Sequence, residues 1–362
     1  MKNLLKSLLI LLTITFFVSI QSQYYLASGS LDGTVKVWNP EKKKKLVKTL
    51  FSSEDIFEPP QVNAVALSPN GKYLACGLNE NQIKIWDTEN LDKEPITLKL
   101  LKNQRFTYSL SFSRDSKLLA IGTQDRFVGG NKGTMMVYDL EAKKIIAKRE
   151  VSTIRNLVVV FDEKGVYFQT FKRLGFWDYK KNKIKLLLQL DVAPFFGMDY
   201  KSPFLVFFTL LFEESTLGII NEKTKKALLF KIPSLIRSIA LSPDARFLTY
   251  TSPPEGIVII DRKKKIRRTF KFSVSDLAPL AFSPDGKYLV CGADTRISMW
   301  KVSDLFKKKK LSPKIFKGHT ELITSLSFSF TPEKVKHEKQ KKKYKLKDFG
   351  KRIELFKEVY IN

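Results

Sequence analysis

Two stretches decide the fold between them: Leu26 to Trp38, LASGSLDGTVKVW, and Gly318 to Ser329, GHTELITSLSFS. The first reads as two short strands around a tight turn, with alternating LASGS, the turn Leu31-Asp32-Gly33, and alternating TVKVW closing on Trp38. The second reads as a turn and one more alternating strand over 322–328, which runs into a lysine-rich tail where a second strand is due. Each stretch lacks what the other holds. The first and last strands are therefore expected to pair and stitch the two ends into one sheet, which removes an open edge and ties both ends down.

Between these ends the chain repeats. VNAVALSPNGKYLACGLNENQIKIWD occupies 62–87, and YSLSFSRDSKLLAIGTQD with TMMVYD occupies 108–139. LVVVFDEKGVYFQTFKRLGFWD follows at 157–178, then a Phe-rich copy ending LGIIN at 221, then copies at 236–261 and 277–300. The positions equivalent to Trp38 are Trp86, Tyr138, Trp177, Ile220, Ile260 and Trp300, separated by 39 to 52 residues. Self-similarity at that period marks four-stranded propeller blades. Six complete copies and the spliced one give seven. The fold is expected to be all-β, a seven-bladed β-propeller, with the ring closed by pairing the C-terminal strand with the N-terminal blade.

GH, a strand ending in FS, then LASGS, an Asp turn and a strand closed by Trp resembles a WD40 repeat. The resemblance covers residues 24–330. It implies a buried hydrogen-bonded chain of four side chains, which by position are His319, Ser28, Asp32 and Trp38. It also implies a non-catalytic scaffold for other proteins, a monomeric propeller within a multiprotein complex, cytoplasmic or nuclear. Three copies depart from the pattern: blades 4, 5 and 6 lack the Asp turn, and blades 5 and 6 also lack the aromatic. Blade 5 carries PFLVFFTLLF at 203–212, long enough for a buried strand and far short of a membrane span. Blade 3 carries an insertion between its second and third strands, Gln124 to Gly133, with three glycines, and partner contacts are expected on the loop face that holds it.

Outside the ring, residues 1–23 have two lysines, an apolar run over 8–20 and small or polar residues up to Ser22, the layout of a secretory signal peptide. Cleavage after Ser22 would place the protein in the secretory pathway; the competing reading is a hydrophobic leader that is never used. No N-x-Ser/Thr glycosylation acceptor occurs in the chain. Residues 331–362 form a basic, lysine-rich tail. The two cysteines, Cys76 and Cys291, sit in matching YL(A/V)CG strands, outside any C-x-x-C or Cys/His spacing, and read as small buried residues.

Charge has a pattern too. The formal net charge is +28, with 64 Lys plus Arg against 36 Asp plus Glu. In a propeller the turns after the first and third strands share one face. The segments after the third strands, 39–46, 88–94, 140–149, 179–185, 222–226, 262–268 and 301–310, net +20, and the tail segment 334–352 adds +8. Together they account for the whole excess, which predicts a polarised disc. Candidate anion-binding residues on its basic face are Lys42, Lys43, Lys44, Lys45, Lys263, Lys264, Lys265, Arg267, Arg268, Lys307, Lys308, Lys309 and Lys310. Such a face suits the RNA or DNA phosphates of a nucleic acid, an anionic membrane surface or an acidic protein segment. Few aromatics interleave with the lysines, Tyr179 and Tyr344 being the candidates, so binding would tolerate any sequence and fall steeply with salt. The plainer account of the same lysines is a solvated set of turns in a lysine-rich composition.

Catalytic chemistry has little to work with. The only histidines are His319 and His337, which leaves no spare base for a Ser-His-Asp or Cys-His nucleophile system. No phosphate-cradling glycine loop, G-x-S-x-G elbow or metal-ligand spacing occurs. No cofactor, metal or small-molecule substrate is expected.

Overall fold

The computed structural model describes residues 24–42, 46–51, 60–79, 82–100, 106–124, 132–152, 157–189, 195–211, 214–253, 255–273, 277–307, 311–330 and 357–360. It is an all-β ring of seven antiparallel sheets. Blades 2 to 7 span 62–99, 106–152, 158–189, 195–232, 238–270 and 280–317, four strands each from the channel outward. Blade 1 takes Tyr24–Ser30, Thr34–Trp38 and Leu46–Phe51 from one end of the chain and its innermost strand, Ile323–Phe330, from the other. That strand extends past the expected 322–328 because its register with the first strand runs on to Tyr24 opposite Phe330.

Burial follows radial position. Second and third strands such as Thr34–Trp38 and Gly165–Gln169 are buried at every residue, because a neighbouring blade covers each face. GVYFQ reads as a near-continuous apolar run for that reason, whereas TVKVW keeps its alternation although both its faces are covered. Outer strands such as Ile96–Lys99 alternate half-buried with exposed. The core is accordingly divided into seven apolar clusters among the described residues, one between each pair of adjacent blades. The repeated aromatic position always fills the gap toward the preceding blade: Trp38 packs on blade 7, Trp86 on blade 1 and Trp177 on blade 3. In blade 5 Ile220 takes that place beside Tyr167 and Tyr200, whose rings lie 4.7 Å apart. The missing aromatic of blade 5 is thus compensated by aromatics from other strands.

Close approach of blades explains the small residue in LASGS and LACGL. A Cβ on Gly29 would lie 2.5 Å from Val62 Cγ1, and one on Gly77 would lie 2.4 Å from Thr107 Cγ2, each on the next blade's inner strand. Inner strands touch in sequence around the channel, and the last contact, between 280–282 and Ile323–Phe330, closes the ring.

The end of the tail adds a feature the sequence did not suggest: Lys357–Tyr360 pairs antiparallel with Lys226–Ile232 as a fifth strand on the rim of blade 5. The remainder of 331–362, the leader 1–23 and the insertion 125–131 lie outside the described residues. No described helix is long and apolar enough to cross a membrane.

Candidate interaction surfaces

The seam that closes the ring carries a four-member polar chain. The Trp38 Nε1–H donates to Ser28 Oγ at 2.8 Å, and Ser28 Oγ lies 2.7 Å from His319 Nε2. His319 Nδ1 lies 2.9 Å from Asp32 Oδ2. With the indole as donor at one end and a carboxylate at the other, each link has one polarity: Ser28 donates to Nε2 and His319 donates from Nδ1. Asp32 accepts four bonds, from the Thr34 amide (2.9 Å) and hydroxyl (2.6 Å) on Oδ1, and from His319 and the Thr320 amide (3.0 Å) on Oδ2. Burial alone raises this carboxyl, but the bonds from His319, Thr34 and Thr320 outweigh it and hold Asp32 well below the usual carboxylate range. His319 and Ser28 are buried and every polar atom of the imidazole has a partner, so this histidine is a structural link.

Sequence reading missed a second set of polar links. Innermost strands have no sheet neighbour on their channel side, so their amides and carbonyls need partners from elsewhere. Hydroxyls on the adjoining blade supply them: Ser325 and Ser327 accept from the Val65 and Leu67 amides at 3.1 and 2.9 Å, and Ser329 donates to the Ser68 carbonyl at 2.9 Å. Ser109 and Ser111 accept from the Val159 and Phe161 amides, and Ser238 from Leu280. In blade 5 Asp199 accepts from the Leu241 amide at 2.8 Å. The alternating serines of SLSFS and YSLSFS were the available signal.

On the turn face, one device recurs. An Asp or Asn at the end of the third strand accepts amide bonds from two and three residues on: Asp139 from Glu141 and Ala142, Asn221 from Lys223 and Thr224, Asp261 from Lys263 and Lys264. Each such turn closes on a residue with positive φ, Lys143, Lys225 and Lys265, and in blade 4 Asn182. Lys263, Lys264 and Lys265 are exposed on one such turn, Lys42 is exposed on another, and Lys307 pairs with Asp304 at 2.6 Å. Lys43, Lys44, Lys45, Lys308, Lys309 and Lys310 lie outside the described residues.

The segment 262–268 does not act as one basic loop. Its turn ends at Lys265, so Arg267 and Arg268 belong to the strand Ile266–Phe270, and Arg267 pairs with Glu255 at 2.7 Å and with Tyr250 Oη at 3.3 Å. Arg262 stacks over Phe204 at 3.9 Å and donates to the Ala245 carbonyl; burial pulls its guanidinium down to about 10. Beneath the turn Asp261, 2% exposed, holds Arg246 at 2.6 Å. Tyr179 is half-buried and packed edge-on against Phe161 and Trp177. No cluster of three metal-ligating side chains occurs among the described residues. Cys76 and Cys291 are buried free thiols, pushed up by burial, to about 12 for Cys76.

A closed ring of seven four-stranded blades, sealed by a Trp-Ser-His-Asp chain, is the architecture of a WD-repeat propeller. The family model described as "WD domain, G-beta repeat" matches residues 14–39, 46–87 and 264–301, so WD40 repeats are present in three places. Among curated relatives, Protein LST8 homolog of Drosophila melanogaster is 30% identical over 110 residues, 29% of this chain and 33% of that protein. Small ribosomal subunit protein RACK1y of Oryza sativa subsp. japonica is 30% identical over 133 residues, 36% of this chain and 34% of that protein. Ribosome assembly protein 4 of Saccharomyces cerevisiae is 33% identical over 66 residues, 18% of this chain and 12% of that protein. The chain spans about a third or less of the length of these relatives.

The tetrad predicts a pH signature. In Asp32→Asn the amide nitrogen meets the His319 or Thr34 donors, so at pH 7 stability falls by about 1 to 3 kcal/mol. The native carboxyl is held low, so its contribution is complete above the unfolded-state value of about 3.9 and is lost as pH falls below it. Urea unfolding should therefore show a constant gap between native and variant above about pH 5 that narrows below about pH 4.

Proposed function

We propose that this protein is a non-catalytic scaffold that holds other proteins together in a complex. The observation that carries the reading is the division of labour among its polar groups. The one buried His-Asp pair among the described residues is consumed in closing the ring, and the inner-strand hydroxyls are consumed in joining blades. What is left facing solvent is a set of turns and outer strands on a rigid frame, which suits contact with flat partner surfaces. The names of the relatives support it: one is a ribosomal subunit protein and another a ribosome assembly protein.

A second reading is favoured by the turn geometry. Lysine at a left-handed position costs about 1 to 2 kcal/mol relative to glycine. Lysine nonetheless stands there at Lys143, Lys225 and Lys265, and in blade 6 it follows two further lysines. Under this reading the lysine-bearing face binds RNA or another polyanion.

One purification separates the two. Tagged full-length chain isolated from its own cells and washed at about 0.5 M salt after ribonuclease treatment should retain stoichiometric protein partners if it is a scaffold. Recovery of the chain alone, with nucleic acid bound only at low salt, would support the polyanion reading instead. In that case replacing Lys263, Lys264 and Lys265 by alanine should weaken RNA binding and lower its salt dependence by up to about three phosphate contacts.

A further inference from the structure

Between the outer parts of blades 3 and 4 lies a cleft of about 430 Å3. Along Lys144–Ser152, Ala147, Arg149 and Val151 alternate toward blade 4. On the facing wall a bulge between Leu174 and Gly175 sets Leu186 opposite Gly175 and Leu188 opposite Leu174. That slip divides the strand's apolar residues: Leu187 and Leu188 pack toward blade 5, while Ile184 and Leu186 line the cleft. They remain 38% and 42% exposed, although buried Phe168 forms part of the cleft beside them.

Each end of this apolar strip has a guanidinium. Arg149 reaches the turn residue Asn182 at 3.4 and 3.5 Å, at the turn-face end of the cleft. Arg173 opens its strand at the other end, paired in register with Gln189, and makes no ion pair with a described residue. The one acid among the described lining residues, Glu150, lies 3.9 Å from Lys132. The strand Lys183–Gln189 covers about 23 Å, the length of a seven-residue extended segment.

We infer that this cleft is a docking site for an extended acidic-apolar segment of a partner protein. Arg149 and Arg173 take its carboxylates, and Ile184 and Leu186 take the apolar side chains between them. Charge selects this occupant. The chain's own tail segment 334–352 nets +8 and carries the wrong sign for two guanidinium ends, as do the lysine-bearing turns of a second copy. Arg-carboxylate pairing supplies the orientation, and apolar contact in a partly enclosed cleft supplies the affinity. The inference rests on the scaffold reading and names one kind of partner for it.

The test uses full-length protein and fluorescein-labelled peptides of about ten residues in which leucine alternates with aspartate, with serine or with lysine, followed by anisotropy at about 0.15 M salt. The aspartate peptide should bind at least about ten-fold more tightly than the serine peptide, and the lysine peptide not at all, a difference of about 1.4 kcal/mol or more. Leu186→Asp and Arg173→Glu, both at solvent-accessible positions, should each weaken the aspartate peptide by about ten-fold, and Arg149→Ala should weaken it in the same direction. Alanine at Lys263, Lys264 and Lys265 should leave its affinity within about two-fold, about 0.4 kcal/mol. Equal binding of the aspartate and serine peptides, or no binding of either, overturns the inference. So does aspartate-peptide binding that survives the cleft variants or disappears with the three lysines, since that would place it on the turn face. Partners that co-purify unchanged with Leu186→Asp would reject the cleft while leaving the scaffold intact; absence of any partner would reject the scaffold by a separate measurement.

Discussion

Everything in this molecule hangs on one antiparallel pairing between residues almost three hundred positions apart. Tyr24–Ser30 lies against Ile323–Phe330 in register from Tyr24 opposite Phe330 to Ser30 opposite Ile323. The ring stays closed only while that pairing holds; without it blade 1 loses its inner strand and blade 7 loses a neighbour. The polar chain sits across this same joint. His319 arrives from one end of the sequence, and Ser28, Asp32 and Trp38 come from the other. Each link is worth roughly 1 kcal/mol net when made and costs about 1 to 3 kcal/mol when a buried partner is left alone, so the chain also penalises an open ring. Tyr24 reinforces the joint by stacking on Phe330 at 5.7 Å and donating its hydroxyl to Asp285 of blade 7.

That closure determines where contact surfaces can lie. Seven inter-blade clusters leave the middle strands no exposed face, so the solvent meets turns, loops and outer strands. The turns are built by backbone capping from Asp139, Asn221 and Asp261, which frees the side chains that follow to point outward. The outer strands differ more from blade to blade. Between blades 3 and 4 they leave Ile184 and Leu186 uncovered, and on blade 5 a strand from the tail covers the rim.

The blades were legible in the sequence because the aromatic position and the alternation of inner strands recur in every copy that keeps them. Blade 5 was legible only through spacing, since Ile220 stands where an aromatic is expected and Tyr167 and Tyr200 do its packing from elsewhere. The candidate surface was less legible. Summing charge over 262–268 treated Arg262, Arg267 and Arg268 as loop residues, whereas Arg262 stacks on Phe204 and the other two lie in a strand, Arg267 paired with Glu255. A composition count cannot see which cations already have partners. The cleft was invisible for a different reason: it depends on a one-residue bulge and on side chains from two blades, neither of which leaves a periodic trace.

The claim that the ends of the chain are one structural unit is tested most directly by urea unfolding of a chain truncated after Lys317, followed by tryptophan fluorescence. That truncation removes His319, the innermost strand of blade 1 and the rim strand Lys357–Tyr360 together, while leaving the four strands of each of blades 2 to 7 in the sequence. Loss of the cooperative transition, or its collapse into a broad, non-two-state change, is the predicted result. A cooperative transition with its midpoint preserved would show that blade 1 folds without its C-terminal strand and would contradict the account.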